Sequence, residues 1–340
     1  MTAPADGRDV EELLQRLNAL SALVGRDPQS PQAWRYELEQ GEVLEGLAAR
    51  SAGAERDNWL KMAVDSYSSA ASMSPAGETV ARQRLAELPA RIAASSPSSP
   101  AAAYAALQGV RADYMRRLVE ANADTARVEL CEGLVAFAAA YPRSSEAPGA
   151  VLEAARAYEA LGRTDDARRS YRYLADHFPT HADAKKARGS LWRLAGPGTP
   201  VPLDLPPLYP TGDATAAAKQ DHSHPGKVVV AYFWSSTSPQ AAADFQTLRD
   251  LSDRYQDQGL EVVCVDVDTD PAQARVFLAG KLTPGEQLYQ PGGQEGAAEH
   301  YGISSLPSAI VIAGDGTLAR HSVRASQLER EIAKRLRGVQ

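Results

Sequence analysis

The sequence predicts two folded regions of different class, an all-α region followed by an α/β region, and three observations carry that reading. Up to about Ala195, apolar residues recur at three-and-four spacing through stretches rich in Ala, Leu, Glu and Arg. The stretch "LAGPGTPVPLDLPPLYPTGD" then crowds Pro and Gly together and ends the helical period. From Lys227 onward, short runs rich in β-branched residues alternate with helical segments. A chain of 340 residues exceeds one ordinary core. The domains are therefore read as 1–197, a Pro/Gly-rich linker and lead-in at 198–226, and 227–340.

In the first region the periodicity predicts helices over 8–24, 31–51, 57–73, 77–94, 100–121, 123–140, 145–161, 164–177 and 181–195. Breakers such as "GRDPQSP", "ASSPSSP" and "HFPTH" stand where helix ends should fall. The segment "AARAYEALGRTDDARRSYRYLADHFP" sets Ala155, Tyr158, Gly162, Ala167, Tyr171 and Pro179 at a spacing that resembles a tetratricopeptide repeat. Small residues let two helices approach, Gly162 turns the chain and Pro179 ends the second helix. "AVDSYSSAASMSP" repeats the second-helix part through Ala63, Tyr67, Ala70 and Pro75, and "AFAAAYP" echoes its end. The resemblance implies a tetratricopeptide-like helical domain that binds a protein or peptide. The plainer alternative is a bundle of helical hairpins without a groove.

The second region reads as strand 227–234, helix 239–257, strand 260–267, helices 271–281 and 293–301, strands 308–313 and 316–321, and helix 326–337. Asp315-Gly316 is the strongest hairpin-turn signal in the chain. A β-α-β start with a closing hairpin and a terminal helix predicts a mixed sheet covered by helices on both faces.

That order, with "GKVVVAYFW" leading into a helix and "YGISSLPSAIVIAGDGTL" following, resembles the thioredoxin-like fold, and within it the TlpA and ResA type of thiol-disulfide oxidoreductase. Phe233-Trp234 and Leu306-Pro307 anchor the likeness. The resemblance implies a cis peptide bond before Pro307, beside which redox relatives pair their backbone with substrate peptide. It also implies that the Cys-x-x-Cys of the family falls on Ser238-Pro239-Gln240-Ala241, preceded by Trp234 and Thr237. Disulfide exchange needs an attacking thiolate and a second, resolving thiol. Ser238 and Ala241 supply neither. Six residues before Ser238, where thioredoxin has a buried Asp, stands Tyr232.

The other chemistry-bearing residues are each weighed against a plainer reading. Cys131 and Cys264 sit in a predicted helix and strand as lone cysteines, the usual setting of a small buried hydrophobe. The run Ser235 to Ser238 offers an anion site at a helix start, or simply Ser238 as a cap with Pro239 at the first helical position. No Gly-x-Ser-x-Gly elbow marks a hydrolase, and His300 reads as solvated. "DVDTDPAQ" has Pro271 where a calcium loop needs Gly and Phe277 where it needs a bidentate Glu, leaving Asp270 as a helix cap. His222 and His224 lack further ligands, and Pro179 separates His177 from His181.

A net charge of −7 without a basic cluster argues against general nucleic-acid binding. No apolar run approaches a membrane span, and no leader pattern opens the sequence. As written the chain is expected in the cytoplasm, or outside it if an export signal has been removed. The expectation is a non-catalytic adaptor for a protein or peptide partner, with no cofactor and no metal. The competing expectation is a thiol-disulfide oxidoreductase or peroxidase with an atypical site built on one cysteine.

Overall fold

The computed structural model describes residues 7–75, 77–96, 99–120, 122–209, 220–221 and 224–336. The chain falls into two compact units, Met1–Ser170 and Tyr171–Gln340. In the first, α1 (Gly7–Arg26), α2 (Ala33–Arg50), α3 (Gly53–Met73), α4 (Val80–Ser95), α5 (Pro100–Glu120), α6 (Ala123–Ala140) and α7 (Ala147–Ala160) follow one another. Each packs on the next, and α3 also reaches α5. The apolar positions that gave the helical period, among them Leu44, Leu47, Leu60, Val64, Leu85, Leu88 and Ile92, form one core. Gly41 on α2 has no side chain because a Cβ there would collide with the Tyr67 ring of α3. That absence lets the two helices approach closely.

Helix α8 (Thr164–His177) runs through the division at residue 170. Of the repeat-like residues, Ala155, Tyr158, Ala167 and Tyr171 are buried. Gly162 takes φ 71° just past α7, where Arg163 N bonds Tyr158 O at 2.9 Å in the manner of a glycine-terminated helix end. Pro179 follows the end of α8 and separates His177 from His181, which caps the next helix by accepting from Asp183 N.

The second unit contains α9 (Ala182–Ala195), β1 (Asp204–Leu205), β2 (Gln220–Asp221), β3 (Val228–Trp234), α10 (Ala241–Tyr255), β4 (Leu260–Asp266), α11 (Pro271–Leu278), β5 (Glu286–Tyr289), α12 (Gly293–Tyr301), β6 (Ser308–Ile312), β7 (Leu318–Val323) and α13 (Ala325–Leu336). Among the described residues, five strands form one sheet in the order β5-β4-β3-β6-β7. Strands β3, β4 and β5 run parallel, β6 runs antiparallel to β3, and β7 runs antiparallel to β6. The β6–β7 hairpin closes at Asp315-Gly316, with Gly316 at φ 77° and Ala313 N bonding Thr317 O at 2.8 Å.

Strand β3 is buried on both faces, as a central strand under helices must be. Val228, Val230, Tyr232 and Trp234 pack with Phe245 and Leu248 of α10 and Leu328 and Ile332 of α13. Val229, Ala231 and Phe233 pack with Ala297 and Tyr301 of α12 and with Val201, Leu203 and Leu205 of the lead-in. Part of the Pro/Gly-rich stretch therefore belongs to the core. Thr199 O accepts from Leu318 N on the β7 side, and Pro206 O accepts from Tyr289 N on the β5 side. One segment covers backbone at both sheet edges.

Helix α9 also belongs to this unit. A Cβ on Gly189 would overlap the carbonyl of Ala298 on α12, Arg188 pairs with Glu299 at 2.8 Å, and Trp192 meets the Tyr301 ring edge-on with centroids 6.1 Å apart.

Candidate functional site

The parallel register sets Trp234 of β3 beside Asp266 of β4, and the antiparallel register pairs Phe233 with Ser308 of β6. That pair is the last of the β3–β6 ladder, so Leu306-Pro307 lies just before β6, at the end of the sheet where β3 runs out. The β3-to-α10 turn, the β4 exit and the Leu306-Pro307 bond thus share one end of the sheet, and that bond is cis. Trp234 itself lies in the core, its ring 5.0 Å from Phe245 and 5.4 Å from Phe277 between centroids.

The turn is held by its own polar groups and by Asp268, two residues beyond the end of β4. Ser238 N donates to Ser235 O at 3.0 Å, and Ala241 N to Ser238 O at 3.2 Å. Ser235 Oγ lies 2.9 Å from Thr237 Oγ1 and donates to Asp268 Oδ1. Both oxygens of Asp268 accept from Ser236 N, at 3.1 and 3.0 Å. Helix α10 begins only at Ala241, with Gln240 at the cap position and no capping side chain. The expectation that Ser238 caps the helix is therefore corrected: Ser238 and Pro239 belong to the turn, and Ser238 is half-buried while Thr237, Pro239 and Gln240 are exposed. Ala241, which the family resemblance aligns with the second cysteine, is fully buried.

Beneath Ala241 lies a polar contact that the sequence reading passed over. The buried Tyr232 hydroxyl donates to Asp244 Oδ2 at 2.7 Å, and Gln240 Nε2 donates to Asp244 Oδ1 at 3.1 Å. Burial and the Asp244 carboxylate both raise the phenol's pKa. The available signal was an acid on the core stripe Ala241, Asp244, Phe245, Leu248 and Leu251 of an amphipathic helix.

At the end of β4, Asp266 is fully buried, its Oδ1 accepting from Asp268 N at 3.0 Å. Burial pushes its carboxyl up to about 7, with the Asp268 carboxylate adding to the effect. Asp270 caps α11 by accepting from Ala272 N at 2.9 Å, with Pro271 opening the helix. Among the described residues no group of three or more His, Cys, Asp or Glu side chains is placed to hold a metal ion. His222 lies outside the described residues. His224 sits 3.8 Å from Glu286, and the His300 ring packs on Tyr301.

Neither cysteine is near a nucleophile's state. Cys264 is fully buried on β4 with its Sγ 3.5 Å from Pro284 O, and burial pushes its thiol up to about 12. Cys131 is fully buried on α6, and burial pushes its thiol up to about 11. At neutral pH both stay protonated, and the thiolate is the reactive form. Among the described residues no hydrogen bond joins the Ser238 hydroxyl to a base.

Residues 226–318 match the family profile described as thioredoxin-like. This part of the chain is a thioredoxin-like domain, and it follows an all-α region. Solved structures similar to it include a proposed thiol:disulfide interchange protein DsbE from Chlorobium tepidum, 23% identical, covering 40% of this chain and 96% of that one with a TM-score of 0.34. An uncharacterized thioredoxin-like protein from Bacteroides vulgatus is 21% identical, with coverage of 41% and 87% and a TM-score of 0.34. A thiol-disulfide oxidoreductase from Bacteroides fragilis is 18% identical, with coverage of 38% and 93% and a TM-score of 0.33. A search of curated proteins returns no match. No described helix is long and apolar enough to cross a membrane.

Proposed function

We propose that this chain is a non-catalytic interaction protein. Its thioredoxin-like domain recognises an extended peptide segment at the Pro307 edge, and its helical, tetratricopeptide-like region engages a protein partner. What supports the reading is that Ser238 and Ala241 stand where the family resemblance puts the two cysteines, while strand β3, helix α10 and the neighbouring cis Leu306-Pro307 bond are in place. The buried, protonated state of Cys131 and Cys264 supports it further. Backbone beside a cis-proline at a sheet end can pair with an added extended segment without any thiol, and main-chain hydrogen bonds then supply the affinity.

Binding of the full chain to an array of extended peptides, compared with the Leu306→Asp variant, tests this. Leu306 is half-buried beside the core, so circular dichroism of the variant accompanies the measurement. The expected result is capture of a subset of peptides that the folded variant loses. Capture of no peptide, or capture untouched by the substitution, contradicts the proposal.

A further inference from the structure

Helix α2 carries four glutamates, and their surroundings differ. Glu39 pairs with Arg16, Glu42 with Arg84 at 3.2 Å and Glu45 with Arg91. Glu37 is half-buried and has no cationic partner among the described residues.

Neutral donors hold its carboxylate instead. The Ser66 hydroxyl bonds to it, and the Gln40 amide, with its oxygen turned toward Ser21, donates to Oε2 at 2.9 Å. An ionised carboxylate accepts at about four sites, so these bonds fix its direction without filling it. Burial raises its pKa while the Ser66 bond works the other way, and no neighbouring positive charge replaces the lost water.

Glu37 opens onto a cavity of about 400 Å³ between α1, α2 and α3. At about 30 Å³ per water that is room for roughly a dozen waters. Ser68, Ser69 and Ser72 of α3 line it beside the acid, and Val24, Pro28 and Met73 make its apolar side. Ser72 Oγ is committed to Ser68 O at 2.9 Å, whereas Ser68 Oγ is buried with no partner among the described residues. Among the described lining residues Glu37 alone is charged. The groove between α5 and α6 is the useful contrast, because its acids Asp113 and Glu129 stand 3.6 and 2.9 Å from Arg116 and Arg117.

One unneutralised carboxylate, a hydroxyl-rich wall and an apolar side suit a cation carried on a methylene stem. Gln40 already occupies Oε2, so the two open oxygens that a guanidinium fork needs are not available. An ammonium is a point charge and needs only one.

We propose that this cavity receives a lysine side chain of the protein partner, its ammonium on Glu37 and its stem along Val24, Pro28 and Met73. The assignment rests on the reading that the helical region engages a protein.

The test is calorimetric titration of the full chain with Nα-acetyl-lysine methylamide and, separately, with its neutral Nε-acetylated form, at constant ionic strength. Amide NMR shifts are followed in parallel. The expected result is saturable binding of the amine, with shifts confined to residues around Glu37 and Ser68 to Met73. Affinity should fall about tenfold or more for the neutral probe and in Glu37→Gln. Ser72→Leu, at an exposed position, should block the cavity, and Glu39→Gln, outside the lining, should bind as the unmodified chain does. No saturable binding of the amine overturns the proposal, as does equal affinity for the two probes. So does affinity unchanged in Glu37→Gln with native circular dichroism, or lost equally in Glu39→Gln. A partner protein whose capture survives Glu37→Gln overturns the lysine assignment alone and leaves the helical region an interaction domain.

Discussion

Replacing Asp266 with Asn should make the α/β unit more stable at neutral and alkaline pH, and the size of the gain follows from the site. The carboxyl is fully buried, Oδ1 accepts the Asp268 amide, and Oδ2 has no partner among the described residues. Burial, reinforced by Asp268, moves its pKa from 3.8 to about 7 in the folded chain. Between those values the native state holds a proton that the unfolded state has lost. Stability therefore falls as pH rises through the window, and the loss is complete above about 7. An interval of about 3 pH units, at about 1.4 kcal/mol each, sets a ceiling of roughly 4 kcal/mol, which relaxation and water penetration reduce. Asn keeps an oxygen for the Asp268 amide and places an N–H donor beside the Asp268 carboxylate, and it carries no charge at any pH. Urea unfolding across a pH series should show the two proteins nearly equal near pH ~4 and separating by ~1–4 kcal/mol above pH ~7. Parallel stability curves for the two proteins would refute the reasoning.

Three further outcomes are expected. Tyr232→Phe deprives buried Asp244 of its hydroxyl donor and should cost about 1–3 kcal/mol, read as a drop of several degrees in Tm; an unchanged Tm would mean that the contact contributes nothing. Gly189→Ala forces a methyl into the Ala298 carbonyl and should destabilise the α/β unit by about 1–3 kcal/mol in denaturant titration, and a neutral result would count against the α9–α12 packing. Ser238→Cys combined with Ala241→Cys should give a disulfide that forms and reduces reversibly in thiol titration if the family resemblance aligns the two positions, one on the turn and one opening α10, with its cysteine pair; two permanently free thiols would count against the alignment.

The legible part of the fold was the part written in local pattern. The apolar run of β3, the helical stripe of α10 and the Asp315-Gly316 turn each declare their structure within a few residues, and the observed elements fall close to the predicted ones. Strand β5 was missed because Glu286 and Gln287 interrupt its apolar pattern and its pairing partners, β4 and the lead-in around Pro207, are distant in sequence. The lead-in reads as a linker because prolines remove its periodicity, yet Val201, Leu203 and Leu205 alternate into the core once β3 is there to receive them. Helix α9 has an ordinary helical sequence, and contacts with α12, such as that of Gly189 with Ala298, reveal that it is built onto the sheet unit.

At the site, the cis bond before Pro307 was expected from alignment to a motif. The Tyr232–Asp244 and Ser235–Asp268 bonds join residues 12 and 33 apart in sequence, and no local pattern specifies such distant partners. The His321–Ser322 pair is adjacent in sequence, but the Tyr301 carbonyl that holds the ring comes from another element.

The central claim is that the thioredoxin-like domain has no thiol chemistry of its own. Reduction of insulin disulfides by the full chain in dithiothreitol, beside the Cys264→Ala variant, measures it directly. The account predicts precipitation at the rate of dithiothreitol alone for both proteins; turnover above that background which disappears in Cys264→Ala would contradict it.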